Sequence, residues 1–550
     1  MKVRPGLGRW DAVKFQERSS LLLLLIVLSA LFIRTCCAVL FTGELDAEGT
    51  EYARIAQNLI AGKGYVGIAT PGTQLFFPPL FPFLIAGVAW TVGNVEVAAH
   101  IVSVLFGTLL VLPIYLITRR MFGERTALAA ATLTAFHPYF ILFSVSVFSE
   151  LTFLTLLLAA TYSAMHAASN PTARVLASSG ALYGVSFLVR SESFIYMLVG
   201  LGCVLLARLL LARDKFRSIA GRVLLIPLLF FVVAGPYIGW LSMQAGHLRL
   251  EGKSPLNVAV DQRMATGLSA NQAAYAVGQD LTEQGVFYQP NINTIESHRL
   301  GLSGLAIMIK RKTKTVLENA VVAVAGWLSP ALFALAILGL FSRAWGPSLA
   351  LDQLHLLALL AISILATYFI YFSHLRFYLP VLVFFSIWAC AAKDGLKLWA
   401  QRSASLFGLG SRQQRVVAAV VWSLAIAAVI LPAAAWTIHS FISMRGTRPI
   451  KVMGESMAAM REPLRIADVS TPFAFHARAE FVWLPDCDEA TALQFLNKKQ
   501  VTHIVVRSNT VEWRPYLKKW MAAGVPDARL TAQVISGTGD KVQVYELRRS

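Results

Sequence analysis

Four carboxylates crowd into eight residues just after the first apolar stretch: Glu44, Asp46, Glu48 and Glu51. Charge interrupts apolar sequence at four further places. These are Glu150 in Phe148-Ser149-Glu150-Leu151, the triplet Arg190-Ser191-Glu192, the triplet His374-Leu375-Arg376, and the basic run Lys310-Arg311-Lys312-Lys314. A charge bordering hydrocarbon is costly, which makes each one a functional candidate. A carboxylate can take the proton of an acceptor hydroxyl as general base. Arginine offers phosphate oxygens a planar fork of donors, and its charge offsets what builds on a leaving phosphate. Together they suit transfer of a group from an anionic lipid phosphate. A carrier that buries charges fits the same inventory, and each place has a plainer reading. Acids favour helix N-termini, Arg190 and Glu192 can pair structurally, and Arg376 and Arg34 can snorkel. His137 reads as a buried histidine, and the basic run can anchor to lipid head groups.

The elements that must hold these residues are legible in the hydropathy. Of the 550 residues, 56% are hydrophobic and 14% charged, against about 25% charged in a soluble domain. That balance excludes a disordered chain and an ordinary cytosolic enzyme. Apolar stretches near the length needed to cross a bilayer fall at 20–41, 97–118, 126–143, 151–168, 175–189, 194–211, 222–240, 319–342, 354–372, 378–392 and 415–437. The shorter piece 79–93 reads as an interfacial helix. The net charge is +19. In a membrane protein the basic excess collects in cytoplasmic loops, so nucleic acid is not the implied partner. Lys2, Arg4, Arg9, Lys14 and Arg18 place the N-terminus in the cytoplasm. Eleven spans then put the C-terminus outside, together with the loops 42–96 and 241–318. The five cysteines show no disulfide or zinc spacing.

The tail reads as a small α/β domain, with short β-branched strands at Arg465–Val469, Phe481–Leu484, His503–Arg507, Leu530–Ile535 and Val542–Leu547. Apolar residues at helical spacing predict helices over Asp488–Asn497 and Val511–Ala522. The expected fold class is an all-α polytopic membrane bundle over 1–440, with loop helices on the outer face, followed by an outside α/β domain over 441–550.

An ordered set of motifs resembles the GT-C membrane glycosyltransferases. The similarity is to bacterial family-39-like enzymes, protein O-mannosyltransferases and lipid A aminoarabinose transferases. The set begins with the acidic patch, Glu51-Tyr52-Ala53-Arg54-Ile55-Ala56-Gln57-Asn58-Leu59 and Gly62-Lys63-Gly64-Tyr65. It continues with Pro78-Pro79-Leu80-Phe81-Pro82, Ser149-Glu150, Arg190-Ser191-Glu192 and Arg376-Phe377-Tyr378-Leu379-Pro380. Arg190-Ser191-Glu192 is similar to the family's Arg-Pro-Glu, with Ser in place of Pro. The tail adds Arg478–Pro485 and Val501–Val506.

The resemblance implies a sugar donor linked to polyprenyl phosphate, used on the periplasmic side of a bacterial inner membrane with inversion. The outer face, with its loop helices and the α/β domain, is then periplasmic. A first-loop carboxylate would be the base. Glu48 lies four residues before Tyr52 and Asp46 six before it, and both remain candidates. Glu150 would support catalysis. Arg190, Arg376 and His374 would hold the donor phosphate, and Tyr52, Arg54, Pro78 and Pro79 would shape the donor and acceptor loop. The implied partners are the lipid-linked sugar, membrane lipids and a glycolipid, polysaccharide or protein acceptor. No cofactor is expected. No Asp-x-Asp occurs near the acidic patches, and the closer relatives need no catalytic metal, so none is expected here. The rival class is a secondary transporter or glycan flippase, which calls for paired broken helices and charges near mid-bilayer.

Overall fold

The computed structural model describes residues 9–211, 216–288, 309–310, 312–314, 316–318, 321–322, 329–369, 374–460 and 463–548. Long apolar helices dominate. Among the described residues, eight are long and apolar enough to cross a membrane. They are Glu17–Phe41, Val95–Phe122, Glu150–Ser169, Ser193–Leu211, Gly221–Ala245, Pro347–Ala366, Arg376–Leu406 and Ser411–Met457. The chain is a multi-pass membrane protein.

The expected eleven differ from this at three places, two for physical reasons and one that lies partly outside the described residues. The stretch 126–143 is a broken pair, Glu124–Phe136 and Pro138–Val145, bent by 51°. Pro138 has no N–H to continue the first helix. Counted as one span, the pair brings the total to nine among the described residues. The stretch 175–189 becomes Ala173–Phe187, only 15 residues long, and 319–342 yields Pro330–Leu340, with residues 323–328 outside the described set. The piece 79–93 is Leu80–Val92, a 13-residue helix ended by Gly93 at φ 75°, the left-handed turn that glycine tolerates best.

Arg34 belongs to the break in the bent pair. Its side chain is fully buried and donates to Ala135 O (2.8 Å), Thr134 O (3.1 Å), Ala30 O (3.2 Å) and Ser144 Oγ (3.0 Å). The carbonyls of Thr134 and Ala135 have lost helical partners at the break, and the guanidinium supplies them. Arg34 therefore neither snorkels nor faces a ligand. Elsewhere the helices approach closely at small residues: a Cβ on Gly180 would lie 2.2 Å from Ile226 O, so glycine lets the backbones of Ala173–Phe187 and Leu225–Ala245 touch.

The tail carries a five-stranded sheet: β1 Arg465–Asp468, β2 Glu480–Trp483, β3 His503–Arg507, β4 Ala528–Ile535 and β5 Lys541–Leu547. Its order is β2-β1-β3-β5-β4. The first three strands are parallel and the last two antiparallel. The helix Glu489–Lys498 connects β2 to β3. The expected helix over Val511–Ala522 is two pieces instead, a 3-10 turn Ser508–Trp513 and the helix Leu517–Ala523. Arg514 intervenes in extended backbone, with its side chain buried and donating to Leu484 O at 2.7 Å.

Candidate active site

The first-loop helix, Ala47–Ile60, starts where Asp46 caps it. Asp46 Oδ1 accepts the backbone N–H groups of Glu48 (3.1 Å) and Gly49 (3.0 Å), the standard role of Asp at this position. Four residues separate Glu48 from Tyr52, so both lie on one helix face. The Tyr52 hydroxyl stands 2.9 Å from Glu48 Oε1 and 3.1 Å from Ser149 Oγ. Ser149 in turn precedes the spanning helix that Glu150 opens.

Two arginines tie the carboxylates together. Arg190 Nη1 lies 2.9 Å from Glu150 Oε1, and its Nη2 2.9 Å from Glu192 Oε1. Arg376 comes from the short turn Leu375–Tyr378 ahead of the helix Leu379–Leu406. It hydrogen-bonds Glu48 Oε2, and its Nε lies 3.4 Å from Glu150 Oε1. The rings of Phe148 and Phe377 flank its guanidinium at 4.5 and 5.1 Å. Lys253 completes the group, 3.7 Å from Glu48 Oε1 and 4.9 Å from the centre of the Phe77 ring. Glu48, Glu150 and Glu192 thus face Arg190, Arg376 and Lys253.

Burial and charge pull the first-loop acids apart. Burial works to raise the Glu48 carboxyl, but the charges of Arg376, Lys253 and Arg190 and the Tyr52 hydroxyl outweigh it. Glu48 is held well below the usual carboxylate range. Asp46 goes the other way: burial pushes it up to about 7, against the backbone hydrogen bond from Gly49 and the charge of Arg376.

Four members of the cluster, Glu48, Arg190, Glu192 and Lys253, line a cavity of about 610 Å³. Glu48, Tyr52, Pro78, Arg190, Glu192 and Lys253 line the polar part. Phe187, Phe194, Ile195, Leu250, Ile362 and Leu365 line an apolar part. A volume of this size suits a small-molecule group. The arrangement suits an amphiphile with an anionic head and a hydrocarbon tail. A smaller void of about 40 Å³ lies against Glu150, Arg190, Tyr196 and Arg376.

Other candidates sit elsewhere. Arg54 turns away from the cavity: its Nη2 donates to Ala479 O (3.3 Å), and it lines a separate groove of about 480 Å³ against β2. The helix face Arg54 occupies points to the tail rather than to Glu48. His374 lines neither void among the described residues. Its Nδ1 accepts the Arg376 backbone N–H at 3.2 Å, capping the short turn. Pro79 caps Leu80–Val92 rather than lining the cavity. Glu51 is buried against the loop after its own helix and accepts from the N–H groups of Ile68 (3.0 Å) and Ala69 (2.9 Å). Glu44 pairs with Arg507 at 3.1 Å. In the basic run, Lys312 pairs with Asp261 at 3.4 Å, Lys314 with Glu318 at 3.9 Å, and Arg311 lies outside the described residues. His137 is buried at the N-terminus of Pro138–Val145 and accepts the Tyr139 N–H.

Lys253 was not among the candidates drawn from the sequence. The same rule that singled out Glu150 reaches it, since Glu251-Gly252-Lys253 follows closely on the spanning helix that ends at Ala245. Among the described residues, Glu96, Glu455 and His476 lie close enough to share a cation. The Lys451 ammonium already stands there, 2.6 Å from Glu96 and 3.9 Å from Glu455.

By its likeness to solved structures, the bundle with its C-terminal sheet has the GT-C fold. Residues 77–240 match the sequence profile of the family described as dolichyl-phosphate-mannose-protein mannosyltransferase. The fold is similar to ArnT from Cupriavidus metallidurans bound to undecaprenyl phosphate. The TM-score is 0.54 at 13% identity, covering 95% of this chain and 97% of that one. It is also similar to the Archaeoglobus fulgidus oligosaccharyltransferase in complex with Zn and sulfate. There the TM-score is 0.60 at 15% identity, covering 94% of this chain and 72% of that one. No curated protein matches the sequence.

Proposed function

We propose that the protein is a membrane glycosyltransferase. It takes a sugar from a polyprenyl-phosphate donor and passes it to an acceptor hydroxyl on the periplasmic face of a bacterial inner membrane, with inversion. The observation that carries this reading is a cavity lined by Arg190, Lys253 and apolar side chains, with Arg376 beside it in contact with Glu48. Similar structures support the donor class, since ArnT is bound to undecaprenyl phosphate and the archaeal oligosaccharyltransferase is in complex with a dolichol-phosphate.

Arg190, Arg376 and Lys253 hold the donor phosphate, and the polyprenyl chain runs along Phe194, Ile195 and Leu365. Glu48 takes the acceptor proton. The acceptor oxygen forms its bond to the anomeric carbon as the bond from that carbon to the phosphate oxygen breaks. One displacement inverts the centre. The phosphate gains a negative charge as it leaves, and the three cations offset it.

Glu48 is a weak base while Arg376 holds it, because its carboxyl is depressed. A donor phosphate competes for the same guanidinium and for Lys253. Binding therefore loosens Glu48 and raises its basicity when the acceptor is to be deprotonated. Asp46 is committed to two backbone N–H groups and serves as the cap that fixes Glu48. The charges gather at one end of the bundle, which favours transfer over the mid-bilayer site of a carrier.

Purified protein in lipid nanodiscs, offered a panel of labelled polyprenyl-phosphate sugars with crude acceptor membranes, should release polyprenyl phosphate from at least one donor. Release from none of them would overturn the reading.

A further inference from the structure

Resting on that reading, we infer that the C-terminal sheet positions the catalytic carboxylate, through a clamp that Arg507 closes on Glu44. The clamp joins residues more than 400 positions apart in sequence. Arg507 ends β3 and Asp468 ends the neighbouring parallel strand β1. Arg507 Nε lies 3.1 Å from Asp468 Oδ2, while Nη1 and Nη2 reach the two Glu44 oxygens at 3.1 and 3.4 Å. Asp468 is wholly buried and Arg507 is 8% exposed. A forked arginine between carboxylates fixes direction as well as distance.

Three more contacts seat the same segment. The Glu44 N–H donates to Thr447 Oγ1 at 2.8 Å. The Thr50 and Thr471 hydroxyls, both buried, are 2.6 Å apart. Thr471 Oγ1 also donates to Ala47 O at 3.3 Å. Beside them Gly43 packs so tightly that a Cβ would meet Met444 O at 2.0 Å. Asp46 and Glu48 lie between Glu44 and Thr50. The segment bearing them is therefore held on both sides by groups from 444–507, while the phosphate-facing Arg190, Arg376 and Lys253 come from other elements. The tail sets where the base stands and leaves the donor's grip alone.

Glu44→Gln breaks the clamp and leaves the Arg507–Asp468 pair inside the sheet. It should lower kcat by about ten- to hundredfold, the scale of a small misplacement of a catalytic group. Donor KM should stay near the wild-type value. Hydrogen exchange at residues 44–50 should quicken while β1 and β3 keep their protection. The second arm adds Thr50→Cys and Thr471→Cys to Glu44→Gln, placing a cross-link where the two hydroxyls meet. Oxidation should restore kcat toward that of the same cysteine pair with Glu44 intact, and reductant should remove the gain. Unchanged kcat and exchange in Glu44→Gln would overturn the inference. So would a cross-link, verified by mass spectrometry, that restores nothing. If wild type turns over no donor, the functional reading fails, and the exchange measurement decides the clamp by itself: quickened exchange at 44–50 supports it and unchanged exchange overturns it.

Discussion

Replacing Arg376 by alanine separates the two things its guanidinium does. It bridges Glu48 to Glu150, and with Arg190 it lines the small void beside the cavity, where the proposed donor phosphate would meet both guanidinium groups. A charge-assisted hydrogen bond contributes about 1.5–3 kcal/mol. At about 1.4 kcal/mol per tenfold, donor KM should rise about 10- to 150-fold. Stability should fall too, because removing one partner of a buried pair costs about 3–5 kcal/mol. The low end applies here. Glu150 keeps Arg190 at 2.9 Å and Glu48 keeps Lys253 at 3.7 Å. The pH profile gives a third, independent readout. Arg376 is the strongest of the charges that hold Glu48 below the carboxylate range. In wild type Glu48 stays ionised through mildly acidic pH, and kcat/KM shows no acid limb from it. In Arg376→Ala its carboxyl titrates higher, and an acid limb should appear. Arg376→Lys restores charge without the fork, so it should lie between the two. The assay is donor-dependent release of polyprenyl phosphate from nanodiscs, measured across donor concentration and pH. Donor KM within twofold of wild type, with no new acid limb, would refute the reasoning.

Lys253→Met should raise donor KM less than Arg376→Ala does, since one ammonium offers no fork; an unchanged KM in donor titrations would remove Lys253 from the phosphate site. Arg34→Met orphans the carbonyls of Thr134 and Ala135. At about 1–3 kcal/mol for each unsatisfied buried group, it should lower thermal stability in detergent with little change in donor KM. For Asp46 the sign follows from its raised carboxyl. The folded protein keeps the proton up to about pH 7, whereas the unfolded chain releases it near 3.8. Stability should therefore fall as pH rises between those values, by on the order of 4 kcal/mol at 1.36 kcal/mol per pH unit. Asp46→Asn still caps the helix and should flatten that slope in denaturation measured from pH 4 to 7.

Hydropathy exposed most of the bundle because bilayer thickness fixes helix length, and the five strands showed through their β-branched runs. Two of the expected spans take an irregular form where a tertiary feature acts: Pro138 with Arg34 bends one, and the glycine-mediated approach of Ala173–Phe187 to its neighbour goes with a helix of 15 residues. Glu150, Arg190 and Arg376 stood out singly, since each is a charge at an apolar border. Their meeting is a property of the fold, bringing position 376 to position 48. Arg54 and His374 have suitable chemistry, but helix face and capping direct them to other contacts. The Glu44–Arg507 clamp had no local signal: Glu44 stood out only as one of the first-loop acids, and Arg507 looks like an ordinary charge until β1 and β3 align Asp468 beside it.

Glu48→Gln tests the central claim most directly. It keeps shape and removes the base, so in nanodiscs equilibrium binding of the donor and its turnover can be read side by side. Binding should be as tight as in wild type or tighter, because Arg376 is no longer held by a carboxylate. Turnover should fall about 10²- to 10⁴-fold, the usual contribution of a general base. Turnover near the wild-type rate, or a loss that lies wholly in donor binding, would contradict the account.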